Sequence, residues 1–305
     1  MERSEGGGGP GPDGPGRVAL PLVKAQVMGV VNVTPDSFSD GGQWFDHARA
    51  VAHGLDLFGA GAAIVDVGGE STRPGAEPID TAEEQQRVLP VIEALAAHGR
   101  VSIDTRNAET ADAAVAAGAT IINDISSSLH DTAAGLGVGW IAMHMQGDPR
   151  TMQQAPAYDD VVAEVRDHLV ARAEAAMAAG VDELWIDPGF GFGKTLDHNL
   201  ELLAHLDELV ATGFPVAVGL SRKGFLGRLV AMSDARVAAP TLPGLDATVS
   251  PGDVDPVATD DRIEGSLAAA TWAALQGVQL IRVHDVQATV HAVELVGEPV
   301  LEGAH

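Results

Sequence analysis

Residues 101–124, VSIDTRNAETADAAVAAGATIIND, show the pattern on which the fold prediction rests. A short apolar run ending in Asp104 precedes an alanine-rich stretch, and Gly118 separates that stretch from a second run ending in Asp124. Two short β-type runs around a helix-length stretch that ends in glycine are typical of a parallel βα unit. The segment therefore predicts two neighbouring parallel strands, each ending in a carboxylate at the same edge of a sheet.

The same alternation continues on both sides of this segment. The candidate strands begin at Val27, Ile64, Val101, Thr120, Trp140, Leu184, Val216 and Leu280. Helices are predicted over residues 46–58, 81–97, 108–117, 159–179, 196–211 and 263–276. Eight βα units in one chain favour an α/β fold of the (β/α)8 TIM-barrel type over a doubly wound sheet.

One domain is predicted, with two tails and one insertion. Residues 1–24 begin with a Gly/Pro-rich run that cannot bury enough apolar surface to become ordered, so a flexible tail is expected. The barrel is predicted over residues 25–298, and residues 299–305 form a C-terminal tail. Residues 233–260 are rich in proline and aspartate and show no helical or strand period. They are predicted to be a surface insertion in the seventh βα unit, with a lid over the site as the alternative.

The composition excludes several classes of protein. Acidic residues outnumber basic ones 43 to 18, and the net charge of −25 argues against nucleic acid or a membrane surface as a partner. The absence of cysteine excludes disulfides, thiolate metal sites and cysteine nucleophiles, and it favours a reducing, cytoplasmic compartment. No signal peptide and no transmembrane segment are predicted.

Polar side chains follow every predicted strand, where the catalytic groups of such barrels lie. In chain order they are Asn32, Asp66, Asp104, Asn123 with Asp124, His144, Asp187, Ser221 with Arg222 and Lys223, and Arg282 with His284 and Asp285. A single Asp or Asn at such a position is well explained as a helix cap. Polar groups after all eight strands would desolvate one another unless a ligand satisfied them, so the rim predicts a binding site.

The residue types at this rim suggest a ligand with two parts. Asp104, Asn123 and Asp187 offer acceptors for a flat heterocycle that carries an amino group and a ring N–H. Four donors stand at the same rim of a chain that is poor in cations: Arg73, Lys223, Arg282 and His284. Such donors, with backbone N–H groups at helix starts, are typical of a phosphate site. A magnesium ion held by that phosphate and by Asn32 fits the same site.

Three other motifs in the sequence are incomplete. Residues 188–195, PGFGFGKT, end like a phosphate-binding loop, but Pro188 stands where that loop needs glycine. The glycines of the same segment miss the dinucleotide-binding spacing by one residue. His144 and His284 have no third partner for a zinc site. The sequence therefore predicts no triphosphate loop, nicotinamide site or zinc site.

Eight ordered blocks of this sequence resemble dihydropteroate synthase. The two longest are residues 28–42, MGVVNVTPDSFSDGG, and residues 66–75, DVGGESTRPG. The others are residues 102–105 (SIDT), 123–125 (NDI), 143–147 (MHMQG), 187–194 (DPGFGFGK), 221–223 (SRK) and 282–286 (RVHDV). The blocks occur in order between about residue 26 and residue 296, and together they form a highly specific pattern.

The resemblance implies a (β/α)8 transferase of folate biosynthesis. Such an enzyme joins 6-hydroxymethyl-7,8-dihydropterin diphosphate to 4-aminobenzoate, forming 7,8-dihydropteroate and releasing diphosphate. The resemblance also implies a Mg2+ cofactor, a homodimer in the cytoplasm, and inhibition by sulfonamides. The two-part ligand inferred from the rim agrees with the pterin diphosphate.

The resemblance further implies a role for each matching residue. The pterin diphosphate should be bound by Thr72, Asp104, Asn123, Asp187, Lys223, Arg282 and His284, with Arg282 stacked on the ring. The 4-aminobenzoate pocket should be bordered by Thr72, Pro74, Phe190 and Lys223. The catalytic residues should be Asp36, Phe38, Arg73 and Lys223, and the magnesium ligand should be Asn32.

Gly224 departs from the family pattern, because many relatives have serine there, near the 4-aminobenzoate carboxylate. Residues 233–260 also exceed the usual connection at that point of the chain. Two alternatives stay open: a paralogue that binds pterin without turnover, and a corrinoid-linked methyltransferase with a similar pterin-binding barrel. The second lacks a reason for the blocks at residues 34–38 and 221–223.

Overall fold

The computed structural model describes residues 24–34, 47–71, 79–238 and 254–297. Eight parallel strands run through these residues: β1 (Gln26–Asn32), β2 (Ile64–Gly68), β3 (Arg100–Asp104), β4 (Ile121–Asp124), β5 (Gly139–Met143), β6 (Leu184–Asp187), β7 (Ala217–Gly219) and β8 (Leu280–Val283). Each strand begins within one residue of its predicted start.

The strands close into a barrel. Hydrogen-bonded neighbours follow the order β6-β5-β4-β3-β2-β1-β8-β7, so that β1 pairs with β8 as well as with β2. The remaining gap, between β6 and β7, is spanned by one bridge between Ile186 and Val216. There the amide of Ile186 donates to the carbonyl of Pro215 at 2.8 Å. The predicted (β/α)8 barrel is confirmed.

Helices surround the strands. They are α1 (His47–Gly59), α2 (Thr81–Ala96), α3 (Ala108–Ala116), α4 (His130–Leu136), α5 (Val161–Ala179), α6 (Leu196–Ala204), α7 (Leu206–Val210), α8 (Gly224–Ala238), α9 (Ile263–Leu275) and α10 (Val286–Gly297). Five of the six predicted helices are confirmed, while the predicted helix over residues 196–211 is interrupted at His205. The sequence did not predict α4, α8 or α10. In the described residues no helix is both long and apolar enough to cross a membrane.

The prediction that residues 233–260 have no helical period was wrong at their start. Helix α8 continues to Ala238, and residues 239–253 lie outside the described ranges. The chain that returns is tied to α8, because the amide of Val257 donates to the carbonyl of Gly227 at 3.1 Å. The guanidinium of Arg262 holds the carbonyl of Val257 from the other side, at 2.7 and 3.0 Å.

The two predicted tails lie almost wholly outside the described residues. Of residues 1–24 only Lys24 is described, and its ammonium group pairs with Glu294 of α10 at 2.9 Å. Residues 299–305 are not described. The boundaries of the tails therefore stay predictions.

Two apolar layers hold the barrel together. The larger lies between the strands and the helices and includes Val31, Ile103 and Leu169. The smaller has one side chain from each of seven strands: Met28, Ile64, Ile121, Ile141, Trp185, Ala217 and Leu280. Because these residues stand near the amino-terminal ends of parallel strands, they fill the lower part of the barrel interior. The carboxyl ends are left for other side chains.

Candidate active site

The polar groups of the site stand directly above the apolar layer inside the barrel. Side chains two residues apart on a strand point to the same face. Ile64, Ile121, Trp185 and Leu280 of the apolar layer are therefore followed on the inner face by Asp66, Asn123, Asp187 and Arg282. This step from apolar to polar side chains occurs at the carboxyl ends of the strands, where a barrel binds its ligands.

These side chains surround a cavity that is open to solvent; its empty space, including the part that is open to solvent, is about 370 Å³. Five predicted pterin-binding residues line it together: Asp104, Asn123, Asp187, Lys223 and Arg282. Phe190, predicted for the 4-aminobenzoate pocket, also lines it. Further lining residues that the sequence did not single out are Ile125, Met143 and Phe192. The cavity thus has polar groups on several sides and apolar walls suited to a flat ring.

Arg282 is held by two carboxylates. Its Nε donates to Asp66 at 2.6 Å and its Nη2 donates to Asp104 at 2.8 Å. Although burial lowers the pKa of Arg282, Asp66 and Asp104 raise it above its ordinary value overall, so the guanidinium stays charged. Asp66 is fully buried and makes this contact below the cavity. The sequence placed Asp66 at the rim but gave it no role.

Asp66 also orients Asn123. The amide nitrogen of Asn123 donates to the same oxygen of Asp66, at 3.0 Å. The Asp66 oxygen that accepts from Arg282 acts as an acceptor towards Asn123 as well. The NH2 group of Asn123, and not its carbonyl oxygen, therefore faces Asp66. The carbonyl oxygen of Asn123 is thereby left for a donor in the cavity.

Burial shifts the protonation of the cavity groups towards their neutral forms. Burial raises the pKa of Asp104 to about 7, with Arg282 opposing the shift and Asp66 adding to it. Burial also raises the pKa of Asp187, against the amide of Gly189, which donates to Asp187 at 2.7 Å. The pKa of Lys223 falls to about 8, mainly through burial and against the attraction of Asp187. A ligand that donates N–H groups to these carboxylates would favour their charged forms.

The loop after β6 is packed onto the end of β5. Gly189 has a φ of +64°, and a Cβ there would collide with the carbonyl oxygen of His144. Lys194 is 3% exposed; its Nζ donates to the carbonyls of Gly189 and Phe192, both at 3.1 Å, and lies 3.0 Å from Nδ1 of His144. Lys194 is therefore a structural residue of this loop and not a phosphate ligand. The same loop carries Phe192, whose ring lies 4.1 Å below the Lys223 ammonium.

The loops after β7 and β8 are joined to each other. His284 is within hydrogen-bond distance of Ser221 through both its amide and its Nδ1. Arg222 donates to both carboxylate oxygens of Asp285, at 3.1 and 2.7 Å. Burial, with the nearby Arg282 and Arg222, lowers the pKa of His284 to about 3. The ring of His284 is therefore neutral at physiological pH.

Two rim residues of the sequence prediction have local structural roles. Asp124 accepts hydrogen bonds from the amides of Ser126, Ser128 and Leu129 and from the indole of Trp140. It therefore holds the turn before α4, whose N-cap residue is Leu129. His144 faces Lys194, and burial with Lys194 lowers the pKa of His144 to about 3.

Five predicted site residues belong to the loops that follow β1 and β2. Asp36, Phe38, Thr72, Arg73 and Pro74 lie outside the described residues. Their assignments stay predictions.

Asn32 ends β1 and is partly buried at the rim. No group of three or more His, Cys, Asp or Glu side chains in the described ranges is arranged to hold a metal. A metal at Asn32 would therefore take most of its ligands from the substrate and from water, as Mg2+ commonly does at phosphate groups.

Comparisons with known proteins agree with this geometry. A family profile described as pterin binding enzyme matches residues 28–284. The dihydropteroate synthase of Mycobacterium leprae (strain TN) is 47% identical over 287 residues, which cover 91% of this chain and 94% of that protein.

Two solved structures have a similar sequence identity to this chain. The Xanthomonas albilineans dihydropteroate synthase with 4-aminobenzoic acid is 46% identical and covers 90% of this chain and 93% of its own, with a TM-score of 0.77. A structure of the same organism's enzyme in complex with 7,8-dihydropteroate is 44% identical and covers 91% and 94% of the two chains, with a TM-score of 0.74.

Proposed function

The chain belongs to the dihydropteroate synthases, a family of pterin-binding transferases, and from this premise we propose which of its residues carry the reaction. The reaction joins 6-hydroxymethyl-7,8-dihydropterin diphosphate to 4-aminobenzoate and releases diphosphate. The observation that supports the assignment best is the cavity in which Asp104, Asn123, Asp187, Lys223 and Arg282 meet.

The pterin ring is bound by the acceptors of this cavity. Asp187 accepts from the amino group and the neighbouring ring N–H, because two parallel N–H donors match a carboxylate. Asp104 and the carbonyl oxygen of Asn123 accept the remaining N–H groups, and Lys223 donates to a ring acceptor. Arg282, which is charged and lines the cavity, stacks on the ring.

The diphosphate is bound at the mouth of the barrel. Arg282, the neutral ring of His284 and Arg73 donate to its oxygens, and Thr72 also binds it. The positive charges of the two arginines make diphosphate a better leaving group. The amide oxygen of Asn32 is a hard donor that suits a magnesium ion, but one protein ligand is too few to hold the ion by itself. Asn32 would therefore bind magnesium only together with the diphosphate. When bound, Mg2+ would neutralise charge on the leaving group.

The chemistry needs stabilisation of positive charge more than it needs a strong base. As the C–O bond to diphosphate breaks, the bonding electrons leave with diphosphate and the pterin methylene becomes cationic. Asp36 and Phe38 shield that cation from water, and Asp36 stabilises its charge. The neutral amine of 4-aminobenzoate attacks the methylene and then loses a proton to solvent.

We place the aminobenzoate ring between the loop after β6 and the loop after β2. Phe190 is buried and lines the cavity together with Lys223, so we place the aminobenzoate ring against these two residues. Thr72 and Pro74 are the further residues that we propose for this pocket, from their match to the family pattern. Sulfonamides, which share the shape of 4-aminobenzoate, would bind in the same pocket. We further propose that the protein acts as a homodimer in the cytoplasm. Its ligands are these small molecules, and it binds neither nucleic acid nor membrane.

The test measures diphosphate release with and without 4-aminobenzoate, together with calorimetric affinity for the pterin diphosphate. Wild-type protein is compared with Asp187→Asn and with Asp197→Asn, an exposed aspartate of α6 as a control. Asp187→Asn should weaken pterin binding by about tenfold or more, because one acceptor becomes a donor facing an N–H.

Two results would overturn the proposal. Pterin binding without 4-aminobenzoate-dependent turnover in the wild type would make the chain a non-catalytic paralogue. Equal pterin affinity in Asp187→Asn and Asp197→Asn would remove Asp187 from the site.

A further inference from the structure

Ser221 and His284 form a closed pair between the ends of β7 and β8. The hydroxyl oxygen of Ser221 lies 3.2 Å from the backbone nitrogen of His284 and 3.1 Å from its Nδ1. Ser221 is buried, and its hydroxyl has no other hydrogen-bond partner in the part of the chain that the structure describes. Both hydrogen bonds of this hydroxyl therefore go to one histidine.

The direction of each hydrogen bond follows from the donors that are present. A backbone N–H can only donate, so the oxygen of Ser221 accepts from the amide of His284. The hydroxyl hydrogen then needs an acceptor, and Nδ1 of His284 is the one within reach. If Nδ1 carried a hydrogen instead, the buried hydroxyl would have no acceptor for its own hydrogen, which is unfavourable.

The ring of His284 therefore has one hydrogen, and its place is defined. The groups that face the ring are Arg282, Arg222 and Lys223, which disfavour its cationic form, and Asp285, which favours it. Burial and the three cations prevail, so the ring is neutral. A neutral imidazole whose Nδ1 accepts carries its hydrogen on Nε2.

We propose that Ser221 is a positioning residue that fixes His284 in the Nε2–H tautomer, so that the uncharged ring presents an N–H donor to the diphosphate of the substrate. The second half of this statement rests on the proposed function, because it places the diphosphate at His284. The opposite tautomer would turn a lone pair towards the phosphate oxygens and repel them.

The turn that carries Ser221 is built to stay in place. Arg222 has a φ of +60°, which is unfavourable for a residue with a side chain. Its backbone N–H donates to Ser266 at 3.0 Å, and its carbonyl accepts from Arg262 at 2.9 Å. With the two hydrogen bonds to Asp285, these contacts hold the turn against its backbone strain. The position of the Ser221 hydroxyl relative to His284 is fixed in consequence.

The tautomer is read by NMR on ligand-free, 15N-histidine-labelled full-length protein. Long-range 1H–15N correlations distinguish Nε2–H from Nδ1–H, and the signals of His284 are assigned by their loss in His284→Gln. We expect Nε2–H in the wild type and in Ser221→Thr, which keeps the hydroxyl. Ser221→Ala should contain the Nδ1–H form. His144, whose Nδ1 faces Lys194, is the internal control and should keep its spectrum in every variant.

Binding is measured on the same proteins with the pterin diphosphate and with the pterin alcohol that lacks diphosphate. Ser221→Ala should weaken diphosphate binding about tenfold, leave the alcohol unchanged and be rescued by Ser221→Thr.

An Nδ1–H signal in the wild type, or an unchanged tautomer in Ser221→Ala, overturns the proposal. If the tautomer changes but diphosphate affinity does not, the assignment of diphosphate to His284 fails instead. Because the wild-type spectrum needs no variant, the proposal can be contradicted even if a substitution prevents folding.

Discussion

Lys194 shows how a buried lysine can be structural and still respond to pH. Burial lowers the pKa of Lys194 to about 7, while Asp187 opposes the shift and Lys223 adds to it. Its hydrogen bonds to Gly189 and Phe192 need only two hydrogens, which a neutral amine supplies. Lys194 therefore holds the loop after β6 in place in either protonation state.

The pH dependence of stability follows from this shift. Between pH 7 and the ordinary lysine value of 10.5, the unfolded chain binds a proton at Lys194 that the folded chain lacks. The free energy of unfolding then rises with pH, by up to about 1.4 kcal/mol per unit for each such group. Below pH 7 both states are protonated, and this dependence ends.

We expect Lys194→Met to remove part of that rise. Lys223, whose pKa is about 8, keeps its own contribution from pH 8 upward. Urea unfolding at pH 7.0, 8.0, 9.0 and 9.5 measures the slope, with Lys24→Met as the control because Lys24 is exposed. Parallel curves for the wild type and Lys194→Met would show that Lys194 keeps an ordinary pKa.

Gly224 allows a test of the contact to the 4-aminobenzoate carboxylate that the serine of many relatives is expected to make. A Cβ added at Gly224 would meet nothing within 4 Å, and the residue begins α8 next to Lys223. Gly224→Ser should therefore fit and donate a hydrogen bond to the 4-aminobenzoate carboxylate. We expect the KM for 4-aminobenzoate to fall about three- to tenfold, with the KM for the pterin diphosphate unchanged. Gly224→Ala separates the hydroxyl from the added carbon; an equal effect of both variants would contradict the contact.

Single residues were predictable where they belong to a sequence motif. Asp104, Asn123 and Asp187 follow short apolar runs, so their place at the strand ends could be inferred. The roles of Asp66, Lys194 and Ser221 could not, because each depends on a partner from another part of the chain. A sequence pattern indicates which face a side chain occupies but not which atom it meets.

Elements were predictable where burial sets the pattern. The buried strands read as short apolar runs, and their starts were found to within one residue. Helix α8 was missed because it contains Gly224 and Gly227, which lower helix propensity. At Gly227 a Cβ would come close to the side chain of Arg262, which would have to move. The break at His205 has no proline or glycine to signal it.

The loop after β6 makes a steric prediction that can be separated from backbone strain. Gly189 and Gly180 both have positive φ, +64° and +102°, but a Cβ on Gly180 would meet nothing within 4 Å. Gly180→Ala should cost roughly 1–2 kcal/mol, the usual penalty of a left-handed conformation. Gly189→Ala should cost at least about 2 kcal/mol more, because the new carbon collides with the backbone of His144.

Urea unfolding measures both losses, and pterin affinity is measured in parallel. Only Gly189→Ala should weaken pterin binding, because the amide of Gly189 donates to Asp187. Equal losses of stability in the two variants would show that the loop after β6 can move away from β5.

At the scale of the whole molecule, the count of βα units was enough to predict the barrel, but its closure was not visible. The contact between β6 and β7 is one bridge at Ile186 and Val216, which the sequence does not distinguish from an open edge. The division of the barrel interior into an apolar lower layer and a polar upper layer follows from the two-residue period of the strands. Site and core are therefore encoded in the same short runs.

The charge of the whole chain predicts how salt affects its stability. With 43 acidic and 18 basic residues, repulsion between carboxylates exceeds the attraction of the ion pairs. Exposed pairs such as Lys24 with Glu294 contribute little to stability because water already screens them, so screening them further with salt costs little. Raising sodium chloride from 10 to 200 mM shortens the screening length from about 30 Å to less than 10 Å. The Tm should rise over this range, as measured by calorimetry without ligand.

A variant with four exposed carboxylates neutralised tests whether charge is the cause. Asp56→Asn, Asp112→Asn, Asp182→Asn and Glu201→Gln change side chains that are exposed and have no ion pair in the described residues. Four changes bring the formal net charge from −25 to −21. Because repulsion depends on the product of charges, the variant should have a higher Tm than the wild type at 10 mM salt and a smaller rise at 200 mM. A Tm that stays flat or falls with sodium chloride in the wild type, or rises equally in both proteins, would mean that salt acts through something other than self-repulsion.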